Sequence, residues 1–413
     1  MRTRRMRLGI ALFVLLAVSS TIAKVFLSGL GHNFDLESWA LFSDLIRDGK
    51  NVYAETYRNP YGPIWAYLCA GAGYVQAQVF GSESLVGFHR LLAFFLSMVD
   101  VAVAGLLARR YSLWIGALFL LNPVSLLITG FHTQLENLAV LLALVACLLL
   151  EGEEGPRLAR YGLAMSVLGV SLVVKHILIF LPLWFLFRPG ASRRERALSL
   201  LPLAIFGASF LPFVQDERGL EGVIEHVLMY DSFHLDGFFP HLLQGFVPLK
   251  AIELAFAWVP VFSGFKFVWF AAMMLTGFAV RDRSYTERLL VYLVAVVAFS
   301  SAIADQYLTI PMAACAVNWR RWPIWWYSGV STIYLASSQS NIGMLPSMAS
   351  YAQGARDLGL DRWHSVAALF VFLLCLAADG KPLAGKLRGP QQEHAAGKRE
   401  PGDGYGSRND LRE

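Results

Sequence analysis

The chain has 413 residues, of which 56% are hydrophobic and only 16% charged, with a mean hydropathy of +0.50. Soluble domains carry roughly 25% charged residues, so this composition excludes an ordinary soluble protein and implies one embedded in a membrane. The formal net charge of +5 resides in short basic clusters and a polar tail, which argues for membrane orientation and against nucleic-acid binding.

Arg2, Arg4, Arg5 and Arg7 precede an apolar run from Leu8 to Leu30. The start resembles a signal peptide with a weak cleavage candidate near Ala23. The run continues past Lys24 to a spanning length, however, so an uncleaved signal anchor is expected, with the N-terminus inside and Asp35 outside. Further membrane segments are predicted at 61–80, 86–107, 112–129, 135–150, 161–187, 196–213, 266–280, 288–304, 306–318, 323–340 and 364–378. A span takes about 20 apolar residues, which makes the fold class an all-α polytopic bundle of about 11–13 transmembrane helices. Inside markers are the N-terminal arginines, Arg188 to Arg196, Arg281 to Arg288 and Asn318 to Arg321. Counting between them puts 31–60, 214–250, Asp305 and 341–362 outside, but it also puts Arg109 and Arg110 outside, against the positive-inside tendency. Residues 250–262 read as a span, a re-entrant piece or an interfacial helix. Residues 1–380 are thus expected to form a transmembrane domain, with 31–60 as its first outer loop and 214–250 as its second. The polar, Gly-rich 381–413 reads as a disordered cytoplasmic tail. The four cysteines (Cys69, Cys147, Cys315, Cys375) lie in apolar runs without metal or redox spacing and read as packing residues. No internal repeat is detected, which disfavours inverted-repeat transporter folds.

The most informative stretch is His32 to Leu68. It sets the paired carboxylates Asp35 and Glu37 beside Trp, Tyr, Arg and Pro residues at one bilayer face, as a site for a polar substrate would. Leu36, Trp39, Ala40, Phe42, Leu45 and Ile46 recur at helical spacing, with Glu37, Ser38, Asp44 and Asp48 largely opposite, predicting a short amphipathic helix at the membrane surface. Asp35 reads as the N-cap of that helix, as a catalytic carboxylate, or as both. Tyr53, Tyr57, Tyr61 and Trp65 read equally as an interfacial aromatic belt or as a stacking wall for sugar rings.

Polar groups inside the apolar runs need a reason to be there. A lysine at mid-span costs about 2.5–3.5 kcal/mol on insertion scales, so Lys175 must face a partner or a cavity. With His176 beside it, phosphate binding is one reading; a salt bridge to Asp100, the lone acid of 86–107, is the other. The segment Asn122-Pro123 through Asn137 brings His132, Gln134 and Glu136 to a turn that is either a tight connection or part of a binding site. Asp305, Gln306 and Tyr307 fall at a span boundary on the Asp35 side. The loop with His226, Tyr230, Asp231, His234, Asp236 and His241 lacks tight ligand spacing, so no cofactor is implied and a divalent metal there stays open.

The order Asp35-x-Glu37, Trp39, Phe42, Asp44, Gly49, Tyr53, Tyr57-Arg58, Tyr61-x-Pro63 resembles the first outer loop of GT-C glycosyltransferases. It is most similar to the polyprenol-phosphate-mannose-dependent mannosyltransferases (glycosyltransferase family 87 type) and the catalytic subunit of GPI mannosyltransferase I. Leu121-Asn122-Pro123, Gly130-x-His132-x-Gln134-x-x-Asn137, Lys175 with Pro182, and Asp305-Gln306-Tyr307 are similar to that superfamily's sparser motifs. Glu37 stands where those enzymes carry a second Asp. The resemblance implies transfer of a hexose, mannose in that family, from a polyprenyl-phosphate donor to a lipid or glycan acceptor. Asp35 would then be the catalytic base with Glu37 beside it. Arg58, Tyr57, Tyr61, His132, Gln134, Lys175, His176, His234, Asp305, Gln306 and Tyr307 would bind substrate. In an inverting transfer of this kind the base takes the acceptor hydroxyl's proton, while the phosphate leaving group needs cations or hydrogen-bond donors such as Arg58, Lys175 or His234. Membrane lipids are the remaining expected partners. The alternatives are a polytopic transporter or flippase coupled through Lys175 and Asp100, and a polysaccharide polymerase or ligase with its bases in 214–250.

Overall fold

A computed structural model describes residues 2–81, 84–151, 158–229, 264–300, 302–337 and 362–379, with 238, 239 and 242. The expectations for His234, for 250–262, for 341–361 and for the tail from 381 onward lie outside the described residues. Every regular element among those residues is helical, and there is no strand. Two helices are long and apolar enough to cross a membrane: Met6–Leu27 and Leu85–Arg110. Leu113–Leu121 and Pro123–His132 make a third if the pair, bent by 54°, counts as one span. The other apolar helices are shorter, among them Glu136–Leu150, Leu158–Val174 and Arg362–Ala378.

The first helices set the frame. Helix α1 (Arg2–Leu27) runs antiparallel to the long helix Leu85–Arg110. Gly29, just past the C-terminal end of α1, lies against the Arg90 side chain, and Gly9 near the other end meets Leu113, just past Arg110. The chain therefore leaves α1 and enters the second long helix at the same end of the body. Everything between is an excursion at that end. It consists of α2 (Phe34–Arg47), the single turn α3 (Val52–Glu55) and α4 (Pro63–Phe80).

This geometry corrects the reading of 61–80 as a crossing. Helix α4 packs along α2, with Trp65 edge-on to Trp39 at 5.3 Å and Gly73 against Ser43. The correction also removes the conflict over Arg109 and Arg110. They close α5 (Leu85–Arg110) at the end where α1 begins, and Arg110 pairs with Glu151 at 3.2 Å. Glu151 in turn accepts from the Thr286 backbone at 2.7 Å, beside the Arg281 to Arg288 cluster. The basic clusters thus share one end, opposite Asp35, as positive-inside orientation requires.

From there the chain passes repeatedly between the two ends. Helix α6 (Leu113–Leu121) breaks at Asn122-Pro123, where proline cannot supply the next amide, and the Asn122 side chain caps the short α7 (Pro123–Leu127). A π turn over Ile128–His132 completes that pass. Helix α8 (Glu136–Leu150) returns to Glu151, and α9 (Leu158–Val174) comes back to Lys175. The predicted segment 161–187 is therefore broken at Lys175, followed by a 3₁₀ turn over His176–Leu178 and the short α10 (Leu181–Leu186). The predicted segments from 196 to 213 and from 306 to 318 are likewise broken into short helices, α11 (Arg193–Leu198) with α12 (Leu201–Ala208), and a 3₁₀ turn over Asp305–Thr309 with a helix at Met312–Val317.

Two buried ion pairs hold these passes together, and neither is the expected one. Lys175 does not reach Asp100. Asp100 pairs with Lys24 of α1 and also accepts from Ser125 Oγ at 3.3 Å, Thr129 Oγ1 at 2.7 Å and Asn137 Nδ2 at 2.6 Å. Lys175 pairs instead with Glu136 at the start of α8. The reason is register. Lys24 and Asp100 lie at matching depths on antiparallel neighbours, whereas Lys175 ends its helix at the level where α8 begins. All four groups are at most 5% exposed, so each charge depends on its partner.

Removing one member of such a pair strands the other in an apolar interior, at a cost of about 3–5 kcal/mol. We expect Lys24→Met to lower the unfolding temperature of the detergent-solubilised protein sharply, and Lys24→Met with Asp100→Leu to recover most of that loss. Lys175→Met with Asp100→Leu should show additive losses and no recovery, since those residues belong to different pairs.

Candidate functional site

The residues singled out in the first outer loop and in the 128–137 segment meet at the end of the body opposite the basic clusters. Asn33 is the N-cap of α2, so Asp35 sits in the first helical turn and is not the cap itself. A carboxylate there is favoured by the free amides and the helix dipole. Its Oδ2 accepts from Gln134 Nε2 at 2.5 Å and from Asn33 Nδ2 at 3.2 Å, and Asn33 Nδ2 also lies 3.1 Å from His132 Nδ1. Asp35 Oδ1 has no hydrogen bond among the described residues. The carboxylate is half-buried, anchored through one oxygen and open through the other.

Glu37 does not join it. Residues two apart on an α-helix are turned by about 200°, so they cannot face one point. Glu37 is exposed while Asp35 faces Gln134, and the two acids do not form a dyad.

The backbone that presents His132 and Gln134 is unusual in two ways. It forms a π turn, a form that recurs at functional sites, and it ends at Thr133 with φ 54°, the sole non-glycine positive φ among the described residues. A β-branched residue in the left-handed region costs on the order of 1–3 kcal/mol, which the surrounding packing must overcome. The gain is direction: the reversal at Thr133 aims Gln134 at Asp35 and leaves Glu136 facing Lys175. Gly130 lets the turn seat against α1, since a Cβ there would lie 2.9 Å from Lys24 Cα and 3.0 Å from its carbonyl oxygen.

Around Asp35 lie buried acceptor oxygens without hydrogen-bond partners among the described residues: Asn33 Oδ1, Gln134 Oε1 and Glu136 Oε2, with the Thr133 hydroxyl beside them. Native proteins leave few such groups, and each one calls for a ligand or another specific cause. Here four come from residues that adjoin one carboxylate in sequence or in space.

The aromatic residues divide. Tyr53, Tyr61 and Trp65 are buried, and Tyr57 is 71% exposed. Burial holds the Tyr53 phenol well above the ordinary tyrosine range, so it stays a neutral donor, 2.7 Å from the Tyr61 carbonyl. That bond sets Tyr61, whose ring faces Lys175 Nζ at 4.8 Å; the Tyr307 ring lies 5.7 Å from the same nitrogen. Lys175 is thus enclosed by two tyrosines and neutralised by Glu136. The close seat comes from Gly62, where any Cβ would collide with the Val173 carbonyl. Arg58 has its guanidinium 4.1 Å above the Phe34 ring and no carboxylate partner among the described residues. It lines an open hollow of about 530 Å³ with Tyr53, Tyr57, Glu55 and His226.

Asp305 begins the 3₁₀ turn that packs against the His132 turn and α8. It accepts from Tyr334 OH at 3.0 Å and pairs with Arg362 at 3.6 Å. Gln306 is half-buried next to it. His176 is turned away, its ring 5.8 Å from Phe206. Among the described residues no group of three His, Cys, Asp or Glu side chains could hold a metal ion.

Asn33 and Thr133 are the members that the sequence reading did not name, and Glu136 was named only as one alternative for the turn that carries His132 and Gln134. A signal existed for Glu136, which lies in the Gly130 to Asn137 motif on the same turn as Gln134. The all-helical architecture and the polar end cluster define a helical protein with two or three helices long and apolar enough to cross a bilayer and a group of polar side chains gathered at one end. The chain matches no protein-family model, no curated protein and no solved structure.

Proposed function

We propose that this is a membrane glycosyltransferase of the GT-C kind, a bundle of about 11–13 spans that transfers a hexose from a polyprenyl-phosphate donor to a lipid or glycan acceptor. The single observation that carries the reading is the set of unpartnered acceptor oxygens on Asn33, Gln134 and Glu136, with the Thr133 hydroxyl, around Asp35. Buried acceptors call for a ligand rich in donors, and a sugar ring with several hydroxyl groups is such a ligand.

In this reading Asp35 Oδ1 takes the proton of the acceptor hydroxyl as that oxygen forms its bond to the anomeric carbon. The bond from the anomeric carbon to the donor phosphate breaks, and polyprenyl phosphate leaves with the electron pair. Base assistance of this kind contributes about 10²–10⁴ in rate. Gln134 and Asn33 hold Oδ2 and so aim Oδ1. The phosphate role moves from Lys175 to Arg58, because Lys175 is already paired with Glu136 while Arg58 lines the open hollow with no ion pair among the described residues. A transporter reading draws on the buried cations, but Asp100 is saturated by four donors, an arrangement suited to holding helices in place.

With membranes and a labelled polyprenyl-phosphate hexose, Asp35→Ala should abolish transfer at near-normal expression, and Asp35→Asn should lose at least about a hundredfold. Arg58→Gln should raise the donor KM with a smaller change in kcat. Transfer by Asp35→Ala within a few fold of the parent would refute the assignment of Asp35 as base.

In the same reading the Asp35 end faces outward and the basic end faces the cytoplasm. Glu37→Cys and Gln215→Cys should label in intact cells with a membrane-impermeant maleimide, and Ser192→Cys only after lysis. All three positions are exposed, and of the native cysteines only Cys375 is accessible enough to need replacement. Labelling of Ser192→Cys alone in intact cells would invert the topology.

A further inference from the structure

At the end of the body opposite Asp35, Arg110, Arg188, Arg281, Arg283 and Arg288 line an open hollow of about 480 Å³. The nearby carboxylates are largely committed. Glu151 is held by Arg110 and the Thr286 amide, Glu195 lies 3.6 Å from Arg188, Glu287 closes the capping box on Ser284, and exposed Asp282 lies 3.9 Å from Arg281. Arg283 and Arg288 have no carboxylate partner among the described residues. Arg288 is only 2% exposed, and its guanidinium is fixed by the carbonyls of Arg281 and Arg283. Its Nη1, like Nη1 of Arg283, is buried without an acceptor. A guanidinium withdrawn from water this far needs an anion, and its planar fork suits the oxygens of a phosphate.

A second hollow of about 480 Å³ shares Arg110 with the first. Apart from Arg109 and Arg110 it is lined by Leu106, Val145, Leu148 and Leu149, an apolar channel between α5 and α8. A free phosphate compound has no use for such a channel, whereas a phospholipid needs both a basic seat and an apolar one. We propose that the two hollows together bind an anionic phospholipid, its phosphate on Arg283 and Arg288 and an acyl chain along Leu106 and Leu149. This site is separate from the Asp35 cluster and does not rest on the proposed transfer reaction.

The test uses the full chain in detergent, titrated separately with short-chain phosphatidylglycerol, short-chain phosphatidylcholine and inorganic phosphate. Melting temperature and native mass spectra are recorded. Phosphatidylglycerol should raise the melting temperature saturably and survive as a one-to-one adduct, while phosphatidylcholine and inorganic phosphate should do neither. Arg283→Gln should shift the phosphatidylglycerol midpoint about tenfold upward, as loss of one charge-assisted contact does, and Arg194→Gln, exposed and outside the hollow, should leave it in place. An equal response to phosphatidylcholine would overturn the proposal, as would the same stabilisation by inorganic phosphate. An unchanged midpoint in a folded Arg283→Gln protein would also refute it. Should that variant not fold, the lipid comparison on the parent protein decides alone.

Discussion

The structure depends on one short stretch, Thr129 to Asn137, in which successive side chains serve different partners. Thr129 and Asn137 saturate Asp100, Gly130 lets the chain touch α1 at Lys24, His132 and Gln134 engage Asn33 and Asp35, and Glu136 neutralises Lys175. Charges in an apolar interior are tolerable only when paired and hydrogen-bonded. Meeting that demand for two lysines with one segment fixes α1, α5, α8 and α9 relative to one another. The carboxylate of Asp35 is positioned as a by-product of the same constraint. The strain at Thr133 belongs here too, because an ordinary helical continuation would present Gln134 and Glu136 elsewhere.

Much of this was legible in the sequence, and what was not has a physical cause. The α2 helix with its buried face of Leu36, Trp39, Phe42 and Leu45 could be read from periodicity, and the need of Lys175 for a partner from the cost of a charge in an apolar run. Of the two readings for Lys175 the Asp100 pair fails, because cost says that a charge has a partner, while the choice among Asp100, Glu136 and others depends on helix register across distant sequence. The crossing assigned to 61–80 failed for a similar reason. Its hydrophobicity is that of a helix packed between α2 and the body, and composition alone cannot distinguish a surface excursion from a span. Asn33 and Thr133 carry no sequence signal, since their importance lies in backbone direction.

The two ends of the molecule show contrasting electrostatic strategies. At the Asp35 end, unpartnered acceptor oxygens gather around one carboxylate and the buried Lys175 is enclosed by tyrosine rings. At the other end, guanidinium groups outnumber the carboxylates free to meet them. In a helical protein whose apolar waist must avoid unpaired charge, polar chemistry is displaced to the two rims, and each rim is then complementary to a different kind of molecule.

The partners of both buried ion pairs lie within the first 175 residues, and this bears on how the chain is made. Lys24 meets Asp100 once α5 has emerged, and Glu136 waits only for α9 to bring Lys175. During vectorial synthesis an N-terminal segment can organise before later ones exist. The charge-bearing framework, including the anchored carboxylate of Asp35, can therefore be assembled while the ribosome is still translating the second half. The later helices, carrying Tyr307 and Arg362, then close around a framework in which both buried lysines, Lys24 and Lys175, already have their carboxylates.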